Sequence, residues 1–261
     1  MSLHKDISVH LFWIETEDRT DPREYADSEA LLSSEELTRL GRLMHEENRR
    51  EFTFAHALAR AALSRRAPHV APTEWIFTRE SLGRPTVDGP SVDPPLYFSI
   101  SHTRGLVACV VAETAMIAVD VEDASAARMT RKLAERFCTT TEIEALRDIP
   151  ESARRAEWAR IWTLKESYTK ARGLGLLVPP LGFSFVRPSN GPVRIVFGPE
   201  VKDDPAHWRF AERQPTSRHR VAVAAAAPFE GPWSLVLVEE SFDSFPCALR
   251  STGFEVTEPG R

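Results

Sequence analysis

Leu96–Val111 (LYFSISHTRGLVACVV) and Trp208–Ala227 (WRFAERQPTSRHRVAVAAAA) share one rhythm of strand, polar turn and strand. In the first, Leu96 to Ser101 and Leu106 to Ala112 predict a hairpin around His102-Thr103-Arg104-Gly105. What precedes each segment matches in order. Ile7 to Ile14 (ISVHLFWI) is apolar and β-branched enough for an opening strand. Ser33 and Ser34 ahead of Glu35 and Glu36 predict a helix N-cap with an acidic first turn. Phe52, Ala55, Leu58, Ala59 and Leu63 recur at helical spacing, which predicts a long amphipathic helix over His45 to Arg66. Trp75 to Thr78 reads as a short strand, and Gly83-Arg84-Pro85 with Asp88-Gly89-Pro90 as a loop. Met116 to Glu122 then opens the second series. Helices are expected over Arg131 to Phe137, Thr141 to Leu146 and Ala153 to Arg172, and strands over Phe183 to Arg187, Val193 to Phe197, Trp208 to Glu212 and Val221 to Ala225. The expected fold is therefore α+β, a pseudo-two-fold repeat of two similar halves, 1–115 and 116–240, followed by a peripheral tail, 241–261.

Composition narrows the function by exclusion. At 261 residues, with 42% hydrophobic and 27% charged residues, the chain reads as a soluble globular protein. A formal net charge of -5 gives no polyelectrolyte character and no case for nucleic acid. Arg39, Arg42, Arg49, Arg50, Arg60, Arg65 and Arg66 crowd one stretch, diluted by Glu46, Glu47 and Glu51, which reads as a solvated helix with i,i+4 ion pairs. Cys109, Cys138 and Cys247 are odd in number and far apart, so neither a disulfide framework nor a thiolate zinc site is expected. The N-terminus does not read as a signal peptide, and the longest apolar runs, 106–112 and 221–228, are too short to span a bilayer. These features suit a cytoplasmic location.

Three motifs carry chemistry. Asp120-Val121-Glu122 ends a strand, so alternation puts both carboxylates on one face and Val119 and Val121 on the other. Paired carboxylates repel unless a cation lies between them, which makes half a site for a hard metal. In Trp162-Thr163-Leu164-Lys165-Glu166-Ser167-Tyr168-Thr169-Lys170, Trp162, Glu166 and Lys170 share a helix face. A carboxylate beside a cation suits phosphoryl transfer. Ser99-Ile100-Ser101-His102-Thr103 offers hydroxyls, an imidazole and backbone N–H groups that can cradle phosphate. Each motif alone also has an ordinary reading: a strand end in solvent, a surface Glu-Lys pair, a polar hairpin turn. No GxSxG, HExxH, GxxxxGK[ST] or GxGxxG occurs.

Together, in order and spacing, the motifs resemble the Sfp-type 4'-phosphopantetheinyl transferases over about Ser33 to Phe185. The resemblance lies in GRP at Gly83, FSISHT at Phe98, IAVDVE at Ile117, RFCTTTEIEAL at Arg136 and WTLKESYTKARGLGL at Trp162. Ala118 stands where that family has glycine, and alanine would not tolerate a positive φ. The resemblance implies the fold of that family, with the metal site in the second half. It implies Mg2+ held by Asp120, Glu122 and Glu166 on the pyrophosphate of coenzyme A, the substrate, with Lys170 steadying the 3',5'-ADP leaving group. His102 with Ser101 would hold phosphate, and Gly83-Arg84-Pro85 would line an adenine pocket. Arg39 and Arg42 would meet the 3'-phosphate. Glu142 matches the family's proposed general base for the carrier serine, and Lys165 would support the site by a salt bridge or a phosphate contact. The implied partner is an apo acyl carrier or peptidyl carrier protein, as in polyketide and nonribosomal peptide synthesis, and the length implies a monomer. Two other readings stay open: a non-catalytic coenzyme A or carrier-binding module, and a Mg2+-dependent hydrolase of the coenzyme A pyrophosphate.

Overall fold

The computed structural model describes residues 4–80, 83–126, 130–188, 191–240 and 242. Its first series runs β1 (Lys5–Glu15), α1 (Pro22–Glu29), α2 (Ser34–Leu40), α3 (Glu46–Arg66), β2 (Ile76–Arg79), β3 (Pro85–Gly89), β4 (Tyr97–Thr103) and β5 (Leu106–Ala112). The second runs β6 (Ile117–Asp123), α4 (Arg131–Phe137), α5 (Thr140–Asp148), α6 (Glu151–Ala171), β7 (Phe183–Val186), β8 (Arg194–Phe197), β9 (Trp208–Arg213) and β10 (His219–Ala226), with β11 (Trp233–Glu240) last. In each, the opening strand pairs antiparallel with the final strand of the series, which pairs antiparallel with the one before it: β1-β5-β4 and β6-β10-β9. Each sheet carries a 21-residue helix, α3 or α6. The duplication expected from the hairpin rhythm is thus present in the topology. The fold is α+β.

Strand alternation sorts the side chains into layers. One face of β1 and β5 packs against α3 through Phe12, Ile14, Val107, Cys109 and Val111. The other face, through Val9, Leu11, Leu106, Ala108 and Val110, meets Ile117, Val119, Val121, Val221 and Val223 of the second sheet. The far face of that sheet packs Ala118, Ala222 and Ala224 against Leu164 and Tyr168 of α6. The order is helix, sheet, sheet, helix, and the central layer joins the two series. No helix among the described residues is long and apolar enough to cross a membrane. Ala118 sits buried in β6, and no described residue other than glycine has a positive φ, so alanine there carries no backbone strain.

At the seam, β4 lies beside the edge of β6. Ser99 Oγ accepts from Val119 N at 3.3 Å, Ser101 Oγ from Val121 N at 3.3 Å, and Thr103 Oγ1 from Asp123 N at 3.4 Å. Hydroxyls at every second position thereby satisfy the N–H groups that β6 turns away from β10.

Some expectations change. Pro85–Gly89 is not loop but a strand paired with β2, and its proline takes the first strand position, where a missing N–H is tolerated. Helix α1 was not anticipated, although Asp21 caps it by accepting from Arg23 N at 2.9 Å, ahead of a proline at the first position. Also unanticipated, β11 pairs parallel with β1 and so extends the first sheet. The tail expected at 241–261 lies outside the described residues except Phe242, which stacks on Phe12. Arg60 is not part of a solvated arginine face. It is 1% exposed, and its guanidinium donates to Glu36 Oε2 (2.7 Å), Trp75 O (2.5 Å) and Pro72 O (3.3 Å).

Glu36 is the hub of that network. It closes a capping box with Ser33 at the start of α2 and meets His56 Nδ1 at 2.8 Å. Burial pushes its carboxyl up, but the His56 hydrogen bond and the charges of His56 and Arg60 outweigh burial and hold it at about 2 instead of 4.5. With the folded value depressed, the stabilisation is full above about pH 4.5 and is lost as pH falls towards 2, on the order of 3 kcal/mol in all. Glu36→Gln is expected to flatten unfolding free energy measured against pH across that window, and an unchanged slope would refute the assignment.

Candidate active site

Helix α6 brings Trp162, Glu166 and Lys170 to one face at four-residue spacing, opposite the face of β6 that carries Ala118, Asp120 and Glu122. Lys170 Nζ donates to Asp120 Oδ1 at 2.6 Å and to Ser101 Oγ at 3.1 Å, and Ser101 Oγ donates to Asp120 Oδ1 at 2.9 Å. With the Val121 N–H as well, the Ser101 hydroxyl has its donor and both lone pairs engaged. Motifs 50 and 69 residues apart in the chain thus meet at three atoms.

The electrostatics of this junction are unbalanced. Burial, then the charge of Asp120, pushes Glu122 up to about 7, against the pull of Lys170 and a hydrogen bond from Trp162. Burial and Asp120 also raise Glu166. The buried Asp120 Oδ2 has no hydrogen-bond partner, which normally costs about 1–3 kcal/mol. Three carboxylates around one ammonium leave room for further positive charge, and an all-oxygen donor set suits a hard divalent ion such as Mg2+. Among the described residues no group of three or more His, Cys, Asp or Glu is placed to hold a metal ion. The fit therefore rests on the donor chemistry, the raised carboxyls and the orphaned oxygen, with Lys170 lying on Asp120.

A cleft of about 250 Å³ opens beside Lys170 and is lined by Gly83, Arg84, Pro85, Ser99, Ile100, Gly173 and Gly175. The GRP segment and the end of the α6 motif, 85 or more residues apart, form its walls. Gly173, at φ 65°, turns the chain out of α6 in a conformation that favours glycine. The Arg84 guanidinium donates to Ala115 O (2.9 Å), Ile117 O (3.0 Å) and Ala171 O (3.5 Å), so it ties β3 to the start of β6 and the end of α6. Burial lowers its proton affinity.

Other expected site residues go elsewhere. Successive side chains of β4 leave opposite faces, so Ser101 meets Asp120 while His102 Nδ1 lies 3.1 Å from Glu51 Oε2 of α3. The structure does not bring Ser101 and His102 to one phosphate position. Arg39 stands over the Phe52 ring at 5.5 Å and lines a separate cleft with Glu36, His56 and Arg79. Arg42 is exposed just beyond α2. Lys165 is buried, and its three N–H donors are met by Phe183 O (2.7 Å), Pro180 O (2.8 Å) and Glu142 Oε2 (3.0 Å). The salt bridge is present, and no donor remains for the phosphate contact. Glu142 is likewise enclosed, accepting from Thr139 N (2.9 Å), Thr139 Oγ1 (3.1 Å), Phe185 N (3.2 Å) and Lys165. Three of those donors meet Oε2 and Phe185 N meets Oε1, and at 4% exposure Glu142 is not placed as a base that a protein substrate can reach.

Sequence reasoning gave Ser99 and Thr103 to a phosphate cradle, and it missed Asp203. Ser99 and Thr103 complete the hydroxyl ladder, which the S-x-S-x-T alternation signals. Asp203 gathers Tyr168 OH (2.8 Å), Trp208 Nε1 (3.1 Å) and Arg172 at the end of α6, with no local signal in its loop.

Residues 116–225 match the family model of the 4'-phosphopantetheinyl transferase superfamily, and that segment holds Asp120, Glu122, Glu166 and Lys170. Beyond that segment the chain is similar over part of its length to Sfp-type 4'-phosphopantetheinyl transferases. It is 35% identical over 150 residues to the 4'-phosphopantetheinyl transferase HetI of Nostoc sp., covering 58% of this chain and 63% of that one, just under two thirds of its length. It is 27% identical over 214 residues to the 4'-phosphopantetheinyl transferase Sfp of Bacillus subtilis, covering 81% of this chain and 90% of that one. The holo-[acyl-carrier-protein] synthase of Neisseria meningitidis superposes on 42% of this chain and 96% of its own, at a TM-score of 0.38 and 15% identity.

Because Ser101 serves β6, Asp120 and Lys170 at once, Ser101→Ala is expected to cost about 1–2 kcal/mol in urea unfolding. Ser99→Ala, which removes the partner of the Val119 N–H alone, should cost less; equal losses would show that the junction with Asp120 adds nothing.

Proposed function

We propose that this protein transfers 4'-phosphopantetheine from coenzyme A to a serine of an apo acyl or peptidyl carrier protein, with release of 3',5'-ADP and dependence on Mg2+. The observation that carries the proposal is the meeting of Lys170, Ser101 and the half-satisfied Asp120, with Lys170 also lining the cleft walled by Gly83, Arg84 and Pro85. Such a site has charge and donors for a pyrophosphate and no side chain arranged as a covalent nucleophile. The attacking oxygen then comes from the partner protein. Its serine Oγ forms a bond to the β-phosphorus while the bond from that phosphorus to the oxygen bridging to the α-phosphate breaks.

Lys170 neutralises charge on the phosphoryl oxygens and on the leaving group, the kind of preorganised electrostatic stabilisation that dominates phosphoryl transfer. The serine proton leaves to water, while Glu166 stays a carboxylate on the face of α6 that it shares with Lys170. Asp120, Glu122 and Glu166 would hold Mg2+, which when bound supplies positive charge to the pyrophosphate. Gly83, Arg84 and Pro85 face the nucleotide end, where the Arg84 guanidinium shapes the wall through its carbonyl bonds.

Both series lie in one chain and share a central apolar layer, which favours a monomer divided near residue 115, with β11 returning to the first sheet. Buried free thiols at Cys109 and Cys138 favour the cytoplasm. The deciding measurement is the intact mass of apo acyl carrier and apo peptidyl carrier proteins after incubation with coenzyme A and Mg2+. A gain of one phosphopantetheine, abolished by EDTA, is expected. Release of phosphopantetheine with no carrier present would favour a hydrolase, and coenzyme A binding with neither product would favour a binding module. Asp120→Asn and Glu166→Ala are each expected to slow transfer by about 10²–10³-fold; near-normal turnover in either would remove that residue from the mechanism.

A further inference from the structure

We propose that Glu142 and Lys165 form one buried positioning pair, not a proton acceptor and a phosphate ligand, and that this pair sets the rotation of α6 that turns Glu166 and Lys170 onto Asp120. The inference rests on the transfer reaction proposed above and concerns what holds its residues in place.

Lys165 and Glu142 are 3% and 4% exposed. Every donor of the ammonium and both oxygens of the carboxylate have partners within 3.2 Å, and the ammonium also lies 4.6 Å over the Phe183 ring. Four elements converge there: α5 through Glu142, α6 through Lys165, the Pro180 turn, and β7 through Phe183 O and Phe185 N. Beside them the buried Cys138 thiol is pushed up to about 12, by burial first and by Glu142 second, as expected of a dry enclosure. At about 100° per residue, Lys165 points roughly 140° away from Lys170 and 100° from Glu166. The pair thus anchors the side of α6 turned away from Asp120. A helix that rotated or slid to present Lys165 to a phosphate would carry Lys170 off Asp120.

The test begins with wild-type loading of a carrier, read by intact mass. Absence of loading overturns the reaction and this inference with it, whereas the variants speak only to the inference. Glu142→Gln and Lys165→Met each strand a buried partner and are expected to lower kcat by about 10–100-fold, with KM for coenzyme A within about 3-fold of wild type. The double variant strands no charge, so it is expected to regain at least about 10-fold over the worse single. It is also expected to keep the wild-type pH profile of kcat. A double variant as slow as Glu142→Gln, with the acid limb of that profile gone, would make Glu142 the base and overturn the pair. A tenfold or greater rise in KM with Lys165→Met, unrepaired in the double, would make Lys165 a phosphate ligand and overturn it equally.

Should the variants not fold, acylation of the wild-type protein with acetic anhydride, mapped by peptide mass, decides. Lys165 is expected to stay unmodified with and without coenzyme A, while Lys170 is modified and coenzyme A protects it. Modification of Lys165 in the folded protein would overturn the inference.

Discussion

The edge of β6 is the constraint on which the site depends. A strand edge must find partners for its outward N–H groups, and each one left buried and unmet costs about 1–3 kcal/mol. Here the partners are not another backbone but the hydroxyls of Ser99, Ser101 and Thr103. A backbone pairing would have continued the sheet across the seam and tolerated most side chains. Side-chain acceptors instead demand a hydroxyl at every second position of β4. They also leave β4 and β6 in separate sheets that pack face to face over Val119, Val121 and their partners. The middle hydroxyl then reaches past the seam to Asp120 and Lys170, so the bond that joins the two series also builds the site.

From this arrangement follows the charge problem of the second series. Asp120 and Glu122 point away from the central layer because Val119 and Val121 point into it, and the only face left to them is that of α6. Burial between strand and helix raises Glu122 and Glu166, and one ammonium does not balance three carboxyls. A fold selected for stability alone would replace such a cluster with apolar side chains. Retained carboxyls with an orphaned oxygen are a cost that a bound cation and an anionic substrate would offset.

Periodicity made the scaffold and the inner ring of the site legible. Alternation assigned Asp120 and Glu122 to one face, and four-residue spacing assigned Glu166 and Lys170 to another, because both rules concern a single element and its own geometry. The mirrored hairpins exposed the duplication for the same reason. What alternation and spacing could not show was pairing between elements. Gly83-Arg84-Pro85 and Asp88-Gly89-Pro90 read as loop from their glycines and prolines, yet β2 supplies Pro85–Gly89 with a partner that no local pattern reveals. Arg60 read as one of a row of surface arginines, but Glu36 and the Trp75 carbonyl lie across its path. Asp203 sits in an irregular segment and gains meaning only when Tyr168, Arg172 and Trp208 arrive around it.

Lys165 and Lys170 show most sharply how position on one helix separates roles. Both are lysines of the same motif, five residues apart, and composition alone gives them equal claims on a phosphate. The helix angle sends one to the site and the other into the packing against α5 and β7, where a carboxylate and two carbonyls meet it. A lone ammonium in that interior would be untenable, so the Glu142 charge is required there whatever else the residue does. At the end of α6, Asp203 clamps Tyr168 and Arg172 from the loop before β9. The buried Glu142 and the half-buried Asp203 therefore anchor one side of α6, and Glu166 and Lys170 project from the opposite side.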